Sequence, residues 1–248
     1  MILFNSFKNL KMFFYKQKKI QTDIKKQTLE LVWAHRYHDS IRGSEFLEKL
    51  PLNIGRWAGN YTFFYVLSRT LMEYKPLKII EFGLGESTKM ISAYMENELL
   101  DSQHLVIEQN EDWLNNFLTR FRLSERTKVE ILPQIKVDYE GEFINAYKGI
   151  EKFTKNKYDL FLIDGPRGTL GNDGLSRIDI LGFVENAENS DQFIIIFDDC
   201  QRKGEQTTFN AICEILNDKN IFFVKNEFRG NKTVGVIATE KYKWIASI

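Results

Sequence analysis

Between Lys78 and Phe197 short apolar segments alternate with helical patterns, and this alternation limits the fold more than any other feature of the chain. Lys78–Phe82, His104–Glu108, Lys128–Leu132, Tyr158–Ile163 and Phe193–Phe197 read as strands. Glu86–Glu98, Asp112–Phe121, Leu175–Ala187 and Glu205–Leu216 read as helices. Strands without a polar face need cover on both sides, as in a parallel sheet between helix layers. Ile221–Val224 and Thr233–Ala238 flank Arg229-Gly230-Asn231 and read as a closing hairpin, which brings an antiparallel strand into the sheet. A further helix, Tyr61–Tyr74, carries an apolar stripe through Phe64, Leu67, Leu71 and Met72 and stops before Pro76. No Pro- or Gly-rich linker divides residues 77–248. The expectation is one α/β domain over residues 61–248, Rossmann-like, preceded by a helical extension over residues 1–60.

Charge and composition narrow the function. Lys+Arg and Asp+Glu are both 34. A nucleic-acid binder usually shows a basic excess, so no nucleic-acid partner is expected. Cys200 and Cys213 have no metal-ligand spacing, which suits a reduced, cytoplasmic protein. No apolar run reaches the roughly 18–20 residues that span a bilayer. The first residues lack the apolar core and cleavage site of a signal peptide. Residues 1–26 nevertheless stand apart, with seven lysines against one acid, Asp23. Leu3, Phe7, Leu10 and Phe14 form one helical stripe there. Two readings stay open. A basic amphipathic helix can lie on the anionic inner face of a membrane, here through residues 1–20. It can equally dock on its own domain or on a second subunit, and the pattern sets no oligomeric state.

The first strand runs into Glu81-Phe82-Gly83-Leu84-Gly85-Glu86-Ser87-Thr88. Gly83 and Gly85 permit a tight turn and close approach of a ligand, and Ser87 and Thr88 stand at the next helix start. The dinucleotide fingerprint has its third Gly or Ala where this chain has Thr88. The second strand ends in Glu108-Gln109. Glu108 lies 25 residues after Gly83, near the roughly 20 of one strand–helix–strand unit, and a carboxylate there can accept both hydroxyls of a ribose. The fourth and fifth strands run into Asp164-Gly165-Pro166-Arg167-Gly168 and Asp198-Asp199-Cys200-Gln201-Arg202. Carboxylates gathered at one sheet edge repel one another unless a positive group sits among them. A divalent metal, a cationic ligand, or Arg167, Arg177 and Arg202 could supply it, and one of the acids could act as a general base. His35 and His38, three apart on a helix, are a weaker metal candidate. The segment Gly55-Arg56-Trp57-Ala58-Gly59-Asn60-Tyr61 could cover the ligand or serve as a plain interdomain loop.

In order, Phe82-Gly83-Leu84-Gly85, Ile107-Glu108-Gln109 with Asp112-Trp113, Tyr158-Asp159 leading to Ile163-Asp164-Gly165-Pro166-Arg167-Gly168, and Ser176-Arg177 before Asp198-Asp199, Arg202 and Glu205 resemble a known family. It is the glucuronoxylan 4-O-methyltransferase type of polysaccharide-biosynthesis protein, and the likeness covers about residues 78–216. The element order, with its final hairpin, also matches the methyltransferase variant of the Rossmann fold. The resemblance implies a class I methyltransferase fold, S-adenosylmethionine as donor and a sugar or glycan acceptor such as a uronic acid. It implies that Glu81, Gly83, Gly85 and Glu108 bind the cofactor, and Phe82, Ser87, Thr88, Gln109 and Asp164 are the further cofactor candidates. Asp164 would sit at the transfer point, with Asp198 and Asp199 as further catalytic candidates and Arg167, Arg177 and Arg202 near the acceptor. A divalent metal at the acids is a further expectation of the metal-dependent small-molecule O-methyltransferases. An aminopropyl-type transferase and a non-catalytic, membrane-associated partner of glycan-synthesis enzymes are the alternatives on the same fold. An NAD oxidoreductase is disfavoured by Thr88 and the hairpin.

Overall fold

The computed structural model describes residues 2–55, 58–139, 141–167 and 174–248, with residues 2–10 as backbone. Arg56, Trp57 and Gly168, named above, lie outside the described residues. The elements in chain order are α1 (Ile2–Ile41), α2 (Glu45–Glu48), α3 (Tyr61–Tyr74), β1 (Lys78–Phe82), α4 (Glu86–Asn97), β2 (Gln103–Glu108) and α5 (Glu111–Leu118). There follow β3 (Thr127–Ile131), β4 (Gln134–Tyr139), β5 (Glu142–Tyr147), β6 (Leu160–Ile163), α6 (Asp179–Glu185), β7 (Ile194–Phe197), α7 (Lys203–Asp218), β8 (Phe223–Arg229) and β9 (Thr233–Thr239).

Seven strands form one sheet in the order β3-β2-β1-β6-β7-β9-β8. β3, β2, β1, β6 and β7 are parallel, and β9 pairs antiparallel with both β7 and β8. This is the expected α/β architecture with its closing hairpin. Alternate residues of each central strand serve opposite layers. Ile79, Leu160, Ile194 and Val236 pack with α1, α3 and α4, while Ile80, Phe161, Ile195 and Ile237 pack with α6 and α7. Each fully buried side chain of this size contributes about 1.5–3 kcal/mol, which is why the strands read as continuous apolar runs.

Some elements differ from the sequence reading. β4 and β5 form a separate hairpin, paired Val137 to Ile144, in what read as a loop. Their strands are half-exposed and polar on one side, so no continuous apolar run marks them. The fourth strand starts at Leu160 because the Asp159 carboxylate turns away to accept the Leu77 and Lys78 N–H groups at 2.9 and 2.8 Å. The helix expected over Leu175–Ala187 is shorter, Asp179–Glu185.

The N-terminal stripe belongs to a single 40-residue helix. Its last third is fixed to the domain. Trp33, Tyr37 and Ile41 enter the same core as Phe64, Leu67 and Ile79. The Glu30 carboxylate accepts from Tyr61 N and Asn60 Nδ2, each at 2.7 Å, and from Asn231 N at 2.8 Å. From residue 11 to residue 28 every side chain is exposed. Among the described residues no helix is long and apolar enough to cross a membrane.

Candidate active site

β1, β6 and β7 end in register, Phe82 beside Ile163 and Ile163 beside Phe197. The chain continues from β1 towards β2 on one side, and β6 and β7 lie on the other. Strand order therefore reverses between β1 and β6, the place where open α/β sheets bind ligands. A cleft of about 740 Å³ opens there, within the range of small-molecule sites. Its walls include Gly83, Leu84, Gly85 and Ser87 from the first loop, Glu108, Gln109 and Asn110 from the second, and Asp164, Arg167 and Asp199 from the next two. A smaller cleft of about 320 Å³, lined by Lys78, Tyr158 and Phe193, lies at the opposite strand ends, away from the switch point.

The glycine loop is built as its sequence demands. Gly83 has φ +101°, a conformation that a side chain would strain, and its N–H donates to Ile107 O at 2.8 Å. Glu81 is fully buried below it. Its carboxylate accepts from Ser87 Oγ and from Thr88 Oγ1, the latter at 2.8 Å, and lies 3.2 Å from His104 Nε2. Thr88 Oγ1 in turn accepts from Gly85 N at 3.0 Å. Glu81 and Thr88 thus hold the loop and the start of α4 from beneath, and neither lines the cleft. Phe82 also stands apart from the cleft, because its ring packs in the core against Tyr147 and Phe183. Gly83, Gly85, Ser87, Glu108 and Gln109 are the cofactor candidates that reach the cleft wall.

Glu108 is more committed than its sequence position suggests. One carboxylate oxygen accepts Gln109 N and Asn110 N at 2.8 and 2.9 Å, and the other accepts Leu84 N at 2.9 Å. A carboxylate has about four acceptor positions, so one remains for a ligand hydroxyl, and the two-hydroxyl contact expected from sequence exceeds what is free. Burial pushes its carboxyl up, against the three N–H groups that favour the charge. Trp113, exposed at the cleft mouth, is fixed by its Nε1–H donating to Leu84 O at 2.8 Å.

On the other side, carboxylate oxygens of Asp164, Asp198 and Asp199 lie within 4.8 Å of one another. Side-chain cations surround them. Arg177 donates through Nη2 to Asp164 Oδ1 at 3.2 Å and Asp199 Oδ2 at 3.1 Å, and through Nη1 to the carbonyls of Ile163 and Asp198 at 3.2 and 3.0 Å. Lys232 Nζ lies 3.0 Å from Asp198 Oδ2 and 3.4 Å from Asp199 Oδ1. Arg202 Nη2 lies 3.0 Å from Asp199 Oδ2, and its Nη1 reaches Glu205 at 3.4 Å. Arg177 and Asp199 adopt left-handed φ values of 58° and 62°, a strain of order 1–2 kcal/mol each that the interlocked side chains hold in place.

The acids differ accordingly. Burial pushes the Asp164 carboxyl up to about 7, with Arg177 opposing. Asp198 is also raised by burial, against the pull of Lys232. At Asp199 burial is outweighed by Arg177, Lys232 and Arg202, and the carboxyl stays below its usual range. Of the three, Asp164 and Asp199 line the cleft and Asp198 is buried behind them. The arginines separate too. Arg167 and Arg202 are exposed at the rim. Arg177 is 3% exposed at the cleft wall, and its terminal nitrogens engage the acids and carbonyls, so it is an internal counter-charge of the acids. His35 and His38 are exposed and join no metal-type cluster among the described residues.

The sequence reading missed Lys232, the centre of the acid cluster, and Trp113 as a cleft wall. No pattern marks a turn lysine as a buried cation. Trp113 could have been found from its place one turn after Glu108.

No family model matches the sequence, and no curated protein does. Solved structures do match. A protein from Klebsiella pneumoniae assigned to the O-methyltransferases is 15% identical, with a TM-score of 0.54 over 88% of this chain and 99% of that one. An O-methyltransferase from Bacillus cereus in complex with SAH is 12% identical, with a TM-score of 0.50 over 88% of this chain and 100% of that one. At such identities the likeness shows the fold, and the fold of this chain is the Rossmann-like methyltransferase fold.

Proposed function

We propose that this chain is an S-adenosylmethionine-dependent O-methyltransferase acting on a sugar or glycan hydroxyl, such as that of a uronic acid. The observation that carries the reading is the meeting, in one cleft at the switch point, of the glycine loop, Glu108 and the carboxylate of Asp164. The residues suit the donor. The α4 N-terminus offers the N–H groups of Glu86 and Ser87 to a carboxylate, those of Gly83, Leu84 and Gly85 being engaged within the protein. Glu108 keeps one acceptor position for a ribose hydroxyl, Gln109 has a buried Oε1 without a partner, and Trp113 gives a flat wall for the base. Bound there, S-adenosylmethionine supplies a methyl group already activated for transfer.

The remaining work falls to this chain's residues. They align acceptor and donor, and they take the proton of the acceptor hydroxyl. Asp164 is a cleft acid whose carboxyl burial pushes up to about 7, which suits a general base. Arg167 at the rim suits an anionic acceptor, since its planar fork matches a carboxylate, and Arg202, paired with Asp199 and Glu205, adds positive charge beside it. Incubation with labelled donor and a panel of uronic-acid glycans, neutral glycans and catechols tests the acceptor. Label in the uronic-acid glycans is the expected result, and label confined to catechols overturns it.

Glu108→Ala is expected to weaken S-adenosylhomocysteine binding by about 2–3 kcal/mol in calorimetry. The N–H groups it releases belong to Leu84, Gln109 and Asn110, which line the cleft, so water can take the place of the carboxylate and the fold should survive. Unchanged affinity would remove Glu108 from the donor site.

The same reading includes a peripheral membrane contact at the cytoplasmic face through the start of α1. Phe13, Ile20 and Ile24 are exposed on one side of that helix, at spacings that share a face, and the lysines crowd the remainder. Lysines without matching acids repel a second copy of the same helix and favour an anionic bilayer. Full-length protein is expected to sediment with vesicles containing phosphatidylserine at low salt, and protein lacking residues 2–20 is expected not to, with donor affinity unchanged. Full-length protein that stays in solution, or forms dimers through this helix instead, contradicts the contact.

A further inference from the structure

The acid cluster has the composition of a divalent-metal site, three carboxylates at the ends of adjacent strands. Its geometry does not fit one. A magnesium or manganese ion binds oxygen at about 2.0–2.2 Å. Lys232 Nζ already contacts Asp198 Oδ2 and Asp199 Oδ1, at 3.0 and 3.4 Å, so the two oxygens such an ion would bridge share a side-chain cation. Asp164 and the second oxygen of Asp199 are engaged by Arg177, and Arg202 approaches Asp199 from outside.

We infer that Lys232 is a built-in cation that replaces a divalent ion in this cluster, and that it acts as a positioning residue which fixes Asp198 and Asp199 beside the cleft.

The fold places this lysine firmly. It sits in the turn between β8 and β9, closed by Gly230 N donating to Lys232 O at 2.8 Å. Cys200 N donates to Thr233 O at 2.9 Å, and Gln201 Oε1 accepts Thr233 N at 2.7 Å, so the turn is stitched to the loop that carries the acids. Glu30 of α1 holds Asn231 N from the other side. The Lys232 side chain is 14% exposed and the Asp198 side chain 0%. An ammonium desolvated this far persists because carboxylates surround it, and a carboxylate desolvated this far requires a cation in turn. Removing the lysine takes away the cation that contacts Asp198 and one of those on Asp199, which leaves the acids short of positive charge.

The inference depends on the methyltransferase reading for its activity arm alone, since metal uptake is measured without donor or acceptor. Purified full-length protein is titrated with Mn²⁺ and followed by electron paramagnetic resonance and by thermal unfolding, alongside Lys232→Met and Lys232→Arg. The expected result is that the parent protein takes up no Mn²⁺ at millimolar concentration and its unfolding temperature does not move. Lys232→Met is expected to bind Mn²⁺ and to regain unfolding temperature when it is added, and Lys232→Arg to behave as the parent. Parent activity is expected to survive EDTA. Tight Mn²⁺ uptake by the parent overturns the inference. So does a folded Lys232→Met that ignores Mn²⁺. Should Lys232→Met fail to fold, the parent titration decides. Loss of all methyl transfer with metal behaviour as expected would count against the proposed function and leave the built-in cation standing.

Discussion

Asp164→Asn lowers turnover by about 10²-fold or more, the range of general-base loss, while donor affinity changes far less. The expectation rests on position and on chemistry. Asp164 lies at the end of β6, next to the glycine loop, with its N–H donating to Phe82 O at 3.1 Å. It is part-exposed to the cleft where Asp198 is sealed, and its carboxyl is held up to about 7 where that of Asp199 is held down. A base must be ionised to act. Turnover should therefore rise with pH towards a plateau above about 7, with an apparent value that belongs to the whole cluster. The asparagine variant should lose that rising limb along with its rate. A variant with near-normal turnover on a confirmed acceptor would reduce Asp164 to a loop-capping role. Loss of donor binding in step with turnover would move it to the donor side.

Arg177→Met is expected to cost about 3–5 kcal/mol of stability, the usual cost of removing one partner from a buried ionic network. Four acceptors depend on this guanidinium: Asp164, Asp199 and the carbonyls of Ile163 and Asp198. Its loss leaves two carboxylates short of a counter-charge and two strand-end carbonyls without a donor. Lysine is a poor substitute, since one ammonium cannot reproduce the planar fork that spans these groups. Typical domains are stable by about 5–15 kcal/mol, so the variant should unfold at much lower urea concentration or fail to accumulate. A loss below about 1 kcal/mol would show that Lys232 and Arg202 suffice.

These two residues mark where sequence reading succeeded and where it stopped. The strands were legible because β1, β6 and β7 are buried on both faces, so the runs around Ile79-Ile80 and Ile194-Ile195-Ile196 carry no polar alternation. The hairpin of β4 and β5 was not, because Ile135, Val137 and Ile144 alternate with polar residues in short strands that stand outside the main sheet. Asp164, Asp198 and Asp199 were legible as a cluster because strand ends in a parallel sheet share one edge. The need for a positive group among them was legible too, with Arg177 and Arg202 among its candidates, but Lys232 was not. Lys232 comes from the far end of the chain and reaches the acids through the turn of an edge hairpin. Glu81 was readable as an acid beside the loop, whereas its complete burial under Ser87 and Thr88 is a property of packing. Arg177 read both as a counter-charge of the acids and as an acceptor contact, and its buried guanidinium settles on the nearest carboxylates.

The central claim is that the cleft beside Gly83, Glu108 and Asp164 holds S-adenosylmethionine. Isothermal calorimetry of the full-length protein with S-adenosylhomocysteine, and separately with NAD, tests it most directly. The account expects saturable one-to-one binding of S-adenosylhomocysteine and no heat with NAD. Binding of NAD without S-adenosylhomocysteine, or of neither, would contradict it.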